Sequence, residues 1–198
     1  MTKTNFDNLL AEVRTCTLCA GSLPLGPRPV FQMAPGSRIL VAGQAPGRKV
    51  HETGIPFNDP SGDRLRDWMG VSREQFYDPE VMAILPMGFC YPGTGKGGDL
   101  PPRPECAEAW REKLLAELPD IRLTLVIGRY AHAWHLKGRQ GRALAETVKN
   151  WRDFMDEGII PLPHPSPRNI RWLKQNPWFE AEVLPELQRH VASVFMLP

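Results

Sequence analysis

Long apolar runs are missing from this chain of 198 residues, and none approaches the length that a bilayer-spanning helix requires. Charge imbalance is missing too. Lys and Arg total 24 against 22 Asp and Glu, a net +2 that neither demands nor excludes a polyanionic partner. Cysteine is scarce, four residues in all, and in a cytosolic chain these do not read as disulfides. There is no internal repeat and no low-complexity tail. The opening stretch MTKTNFDNLLAEVRTC has an amphipathic helix pattern in place of the apolar centre of a signal peptide. These absences lead to the expectation of a soluble, cytoplasmic protein without a membrane partner. With 42% hydrophobic and 23% charged residues, the chain is ordinary globular material, and residues 1–198 read as a single domain.

Glycine and proline, by contrast, are plentiful at 17 and 21 residues, gathered in 21–36, 43–62 and 86–104. Stretches of that length are functional loops or loops tied down by something. Between them, apolar periodicity predicts a helix over 4–14, and a helix over 61–70 with Ser61 as its cap. Further helices are expected over 104–118, from about 130, near 142–156, and over 177–195 despite Pro185. Strands are expected over 38–43, 81–87, 123–128 and 158–163. Strands alternating with helices imply a three-layer α/β/α fold around a central four-stranded parallel sheet. Right-handed crossovers then bring every strand's C-terminal end to one edge, where ligands of such folds bind.

Two unusual segments fall on that edge: GQAPG (43–47) after the first strand and LPHPSPRN (162–169) at the last. The second holds three prolines and can be neither a helix nor a central strand. It reads as a stiff finger carrying His164 and Arg168, or as a plain surface turn. Basic residues collect beside loops at Arg48 and Lys49, at Lys137, Arg139 and Arg142, and at Arg168, Arg171 and Lys174. They suit a phosphate-facing surface or an ordinary solvated face.

The cysteines are Cys16, Cys19, Cys90 and Cys106, a C-x2-C pair and a second pair fifteen residues apart. Four unrelated buried thiols, a zinc site, and a four-thiolate iron–sulfur cluster are all open readings. The long second gap suits the cluster better than zinc. GTGKGG (93–98) resembles a phosphate loop but lacks the Gly-Lys-Ser/Thr ending. His132 and His135 lie one helical turn apart, with no third ligand nearby, and read as structural.

Taken in order, the C-x2-C pair, GQAPG, GIPFNDPSGDRL, CYPG…PPRPEC and HPSPRN resemble the uracil-DNA glycosylase superfamily, across positions 16 to 169. The cysteine pattern looks like its iron–sulfur branches, families 4 and 5. The resemblance implies a [4Fe–4S] cluster on Cys16, Cys19, Cys90 and Cys106, with a structural role in pinning the first helix and the 91–105 loop. It implies a monomer acting on DNA that contains uracil or another deaminated base, by base flipping and hydrolysis of the N-glycosidic bond. His164 matches the donor that stabilises the departing base, and Phe57 the aromatic that stacks on it. Gly43, Ala45, Pro46 and Gly47 match the loop beneath the base. Ser166, Pro167 and Arg168 match the loop pressed into the minor groove.

Two positions depart from that pattern. Gln44 stands where family 4 has an acidic residue, and an amide can orient a water but cannot act as a general base. Asp59 resembles the family 5 aspartate and becomes the candidate for water activation or oxocarbenium stabilisation; capping the following helix is its alternative role. Asp63 and Glu52 are weaker candidates. Pro86 stands where family 4 reads the pyrimidine through asparagine, which suggests a broad range of deaminated bases. Gln44 and Pro86 also suit a damaged-DNA or nucleotide binder that no longer catalyses. An enzyme acting on free nucleosides is a third possibility, but it would have no duplex gap for Arg168 to fill.

Overall fold

The computed structural model describes residues 3–196. The chain runs through α1 (Lys3–Arg14), β1 (Ile39–Ala42), α2 (Arg48–Thr53), α3 (Pro60–Met69), α4 (Arg73–Phe76) and β2 (Met82–Ile84). A hairpin follows, β3 (Thr94–Gly95) and β4 (Gly98–Asp99), then α5 (Pro104–Ala116), β5 (Leu123–Ile127), α6 (Gly128–His135) and α7 (Leu144–Lys149). The last elements are β6 (Ile159–Leu162), α8 (Ile170–Gln175) and α9 (Leu184–Phe195).

The expected sheet is present: four parallel strands in the order β2-β1-β5-β6. β1 is buried along its whole length, as a strand covered on both faces must be. Its alternate residues divide the core. Ile39 and Val41 face Trp68 and Met69 of α3 and Leu187 and Val191 of α9. Leu40 faces the other layer, with Phe6, Leu10 and Val13 of α1 and Leu114 of α5. Pro161 sits opposite Val126 on β6, an edge strand where its missing N–H costs no ladder bond on the open side.

The differences from the sequence reading are local. The helix near 142–156 divides at Asn150 into α7 and a 3-10 segment, Trp151–Glu157. The three-residue repeat of that segment turns both Trp151 and Phe154 inward. Ahead of Pro185, the chain makes a π-helical turn at Phe179–Val183, the wider winding that a proline without an N–H can join. Asp59, and not Ser61, caps α3: its side chain accepts from the Gly62 N–H at 2.9 Å. α2, α4, α8 and the β3–β4 hairpin are absent from the sequence reading.

β2 lies on one side of β1 and β5 on the other. The chain therefore reverses direction across the sheet at the C-terminal end of β1, and the crevice of such folds opens at that point.

Candidate functional site

A cavity of about 210 Å³ opens at this reversal. Gly43, Gln44, Ala45, Pro46 and Gly47 line it from the loop after β1, and Ile84 and Pro86 from the end of β2. Phe57, Asp59 and Ser61 enter from the start of α3, and His164, Ser166 and Arg168 from the loop after β6. Of the expected site residues outside the cysteines, Pro167 is not in the lining and begins the turn Pro167–Asn169. The weaker candidates Asp63 and Glu52 also lie outside it, paired with Arg66 and Arg48. The volume suits one planar heterocycle. Asp99, on β4, is a second carboxylate in the wall that was not read from the sequence. The available signal was an acid directly after GKGG in a long loop, and a loop acid alone says little.

Phe57 is held unusually tightly. Its backbone is in the left-handed region, φ 51°, which a bulky residue rarely adopts. A side chain on Gly62 would lie 1.7 Å from the Phe57 carbonyl oxygen, so only glycine permits that turn. The ring meets Phe76 edge-on at 6.1 Å, and its far edge lies beside Gly43, where a Cβ would be in van der Waals contact at 3.4 Å. Arg66 donates to the Phe57 carbonyl at 3.4 Å, and the Tyr77 hydroxyl to that of Pro56 at 2.8 Å.

The His164 loop is clamped from several sides. Arg64 of α3 donates to the Ser166 carbonyl at 3.0 Å, and Asn169 to the His164 carbonyl at 2.7 Å. The Ser166 N–H donates to His164 Nδ1 at 3.2 Å. With Nδ1 accepting, the ring proton resides on Nε2. Burial lowers the His164 pKa, only partly offset by the nearby Asp59 and Asp99 charges, so the neutral Nε2–H donor is the form at pH 7.

Gln44 donates from Nε2 to the Leu100 carbonyl at 3.1 Å, which ties the β1 loop to the hairpin. Arg168 rests on the same hairpin: its Nη1 lies 2.5 Å from where a Gly98 side chain would begin. Below Pro86, the buried Arg111 of α5 donates to the carbonyls of Leu85 and Pro86 at 3.0 and 3.1 Å. Those carbonyls are therefore engaged, and the β2 side offers a ligand the apolar surfaces of Ile84 and Pro86. Arg111 also bonds His135 Nε2; burial and this neighbouring cation push the His135 pKa down to about 3. His132 Nε2 is shared between the Val126 and Leu162 carbonyls. Both histidines are thus engaged in the interior. Of the basic residues, Arg48 pairs with Glu52 and Arg139 with Glu157.

The four cysteines line a separate pocket together with Trp110. Cys16 Sγ accepts from the Trp110 indole N–H at 3.2 Å, and Cys106 Sγ from the Phe89 N–H at 3.3 Å. Burial pushes Cys90 up to about 11 and Cys106 to about 12, which is not the setting of a reactive nucleophile. Among the described residues, no group of three or more His, Cys, Asp or Glu side chains could hold a single metal ion.

The chain is an α/β protein with a cavity at its strand reversal that carries an aromatic, an imidazole and two carboxylates in its wall. A family model described as the uracil DNA glycosylase superfamily matches residues 31–188. The chain belongs to that superfamily, whose activity is DNA glycosylase chemistry. The match spans every residue of the cavity lining except Val30. It includes Cys90 and Cys106 but not Cys16 and Cys19. Among the described residues, no helix is long and apolar enough to cross a membrane.

Proposed function

We propose that this protein is a DNA glycosylase that excises uracil or a related deaminated base after flipping it out of the strand. The observation that carries the reading is the convergence of three separate segments, carrying Gln44, Phe57 with Asp59, and His164, on one cavity of single-base size. The flipped base stacks on Phe57. As the N-glycosidic bond breaks, its electron pair moves onto the base, and His164 Nε2–H donates to the base oxygen where that charge gathers. Asp59 faces the oxocarbenium-like sugar or holds the attacking water, while Gln44 orients the loop. Ser166, Pro167 and Arg168 fill the gap in the strand. Because Pro86 gives the base edge no polar partner, several deaminated bases are accepted.

Cys16, Cys19, Cys90 and Cys106 fit an iron–sulfur cluster. They share one pocket, two of them already accept N–H···S bonds, and their spread suits a polynuclear group better than one ion. A [4Fe–4S] cluster there would supply a structural cross-link between the chain after α1, the loop before the hairpin, and α5. The protein works as a monomer, with residues 1–198 as one domain.

The test is direct. Oligonucleotides carrying uracil, hypoxanthine or xanthine, single- and double-stranded, are incubated with protein and then treated with alkali. Strand cleavage at the modified site is expected for at least one. Binding without cleavage of any would establish the rival reading, a damaged-base binder, which the amide at Gln44 favours.

A further inference from the structure

Asp99 reaches the cavity from a hairpin that has almost no structure of its own, two residues per strand. It is nevertheless oriented. The Thr94 hydroxyl donates to Asp99 Oδ1 at 3.1 Å, so Thr94 Oγ1 must accept in its turn from the Tyr91 hydroxyl. Among the described residues Oδ2 has no hydrogen-bond partner, and it lies 3.4 Å from where a side chain on Gly47 would begin. Asp59 has the same arrangement by different means. Its Oδ1 is taken by the Gly62 N–H, and its Oδ2 stands 3.9 Å from that same point on Gly47. Two carboxylates, each tethered through one oxygen, thus present the other to one spot beside a residue without a side chain. Gln44, anchored on the Leu100 carbonyl, fixes the residue next to Asp99.

We propose that Asp99 is a second catalytic carboxylate, sharing with Asp59 the water that attacks the sugar. This rests on the glycosylase reading. The water lies between the two free Oδ2 atoms at Gly47. Its oxygen bonds the anomeric carbon as the carbon–nitrogen bond breaks, and its proton passes to one of the two carboxylates. The bond's electron pair leaves with the base, which His164 stabilises and solvent protonates. The carboxylate then returns its proton to solvent. Neither acid alone encloses the water. Asp59 is fixed by its capping bond, and Asp99 closes the opposite side only while the hairpin is folded over Gly47.

The experiment measures single-turnover excision and substrate affinity for the wild type, Asp99→Asn, Asp59→Asn, the double variant and Thr94→Val. Asp99→Asn is expected to lose about 100-fold or more in rate, with affinity within about threefold of wild type. Because both acids hold one water, the double variant is expected to be little slower than the slower single variant. Thr94→Val, which frees Asp99 Oδ1 and the Tyr91 hydroxyl but keeps both carboxylates, is expected to lose about tenfold, and it keeps the test available if Asp99→Asn does not fold. A wild-type rate in Asp99→Asn, or in Thr94→Val where Asp99→Asn does not fold, overturns the second-carboxylate role and leaves the glycosylase reading intact. Independent, multiplying losses in the double variant overturn the shared water. A wild type that cleaves no substrate removes the glycosylase reading and this proposal with it.

Discussion

Two segments line the same cavity by different means: the stretch from Pro56 to Arg66, and the β3–β4 hairpin. The first is locked from within. A left-handed Phe57, a Gly62 that tolerates no side chain, a ring set against Phe76 and the Asp59 cap all hold one another. The second has one side-chain bond of its own, from Thr94 to Asp99, and is otherwise held from outside, by Gln44 on Leu100 and by Arg168 against Gly98. A surface on which a base stacks needs stiffness before the base arrives, because ordering it afterwards subtracts from binding. A segment that must let a nucleotide in needs the opposite, and few contacts of its own make it cheap to displace.

The contrast breaks most completely at Gly62. Gly62→Ala places a methyl 1.7 Å from the Phe57 carbonyl oxygen, on backbone that cannot give way without losing the Asp59 cap. A loss of about 3 kcal/mol is expected, which for a chain of this size lowers the melting temperature by roughly 6–12 °C in a calorimetric scan. The matched change on the hairpin, Lys96→Ala at its turn, should leave the melting temperature within about 2 °C, since exposed substitutions rarely exceed ~0.5 kcal/mol. Equal shifts would mean that the two segments do not differ in rigidity.

His164 comes next. Replacing it by Ala removes the donor to the departing base, and a loss of about 100- to 1,000-fold in single-turnover rate is expected. Its depressed pKa has a sign that can be read in the pH profile. The folded ring loses its proton more readily than the unfolded one, whose pKa is near 6.5. The stability linked to the neutral ring is therefore whole above about pH 6.5 and declines as pH falls toward the folded value. Excision should accordingly stay level as pH falls through 6.5, where an unperturbed imidazole would titrate. A rate that changes with a midpoint at 6.5 would show the ring to be solvated and the loop open.

How far the two segments could be read from the chain follows the same division. The sheet was legible because runs such as ILVA and LTLVI are buried on both faces, and a continuous apolar run is what that environment selects. Phe57, Asp59 and His164 were legible through motifs. The first two sit in a stretch locked by its own neighbours, which carries its geometry in local sequence, whereas the His164 loop is also clamped by the distant Arg64. The hairpin was not legible. Its strands are two residues long, it has no periodicity, and what places it is Gln44 and Arg168, which lie about 50 and 70 residues away. Arg111 was missed for a related reason: a helix surface position says nothing about the carbonyls of a distant strand end until the two are packed. Asp59 was seen in both its roles, and the structure holds it in one of them, as the cap, with the second oxygen left over.

Phe57→Ala keeps the wall but takes away its stacking face. Base stacking on an aromatic contributes about 1–3 kcal/mol, so capture of the flipped base should weaken by roughly 5- to 150-fold, seen as a higher concentration for half-maximal excision. The folded state should suffer less than in Gly62→Ala, because the ring is only half-buried and Phe76 stays in the core.

The smallest effect is expected at Arg168, where the two kinds of wall meet. Its guanidinium leans on Gly98 while its own loop is fixed by Arg64 and Asn169. If it meets a phosphate only after the hairpin shifts, Arg168→Ala costs one backbone contact and nothing in the reaction itself. Affinity for DNA should fall a few-fold at moderate salt, and the slope of log affinity against log salt should flatten by about 1, with the single-turnover rate at saturation unchanged. A large loss of rate with an unchanged salt slope would say instead that Arg168 serves the cavity by holding the hairpin closed. The hairpin would then be as rigid a wall as the one that carries Phe57.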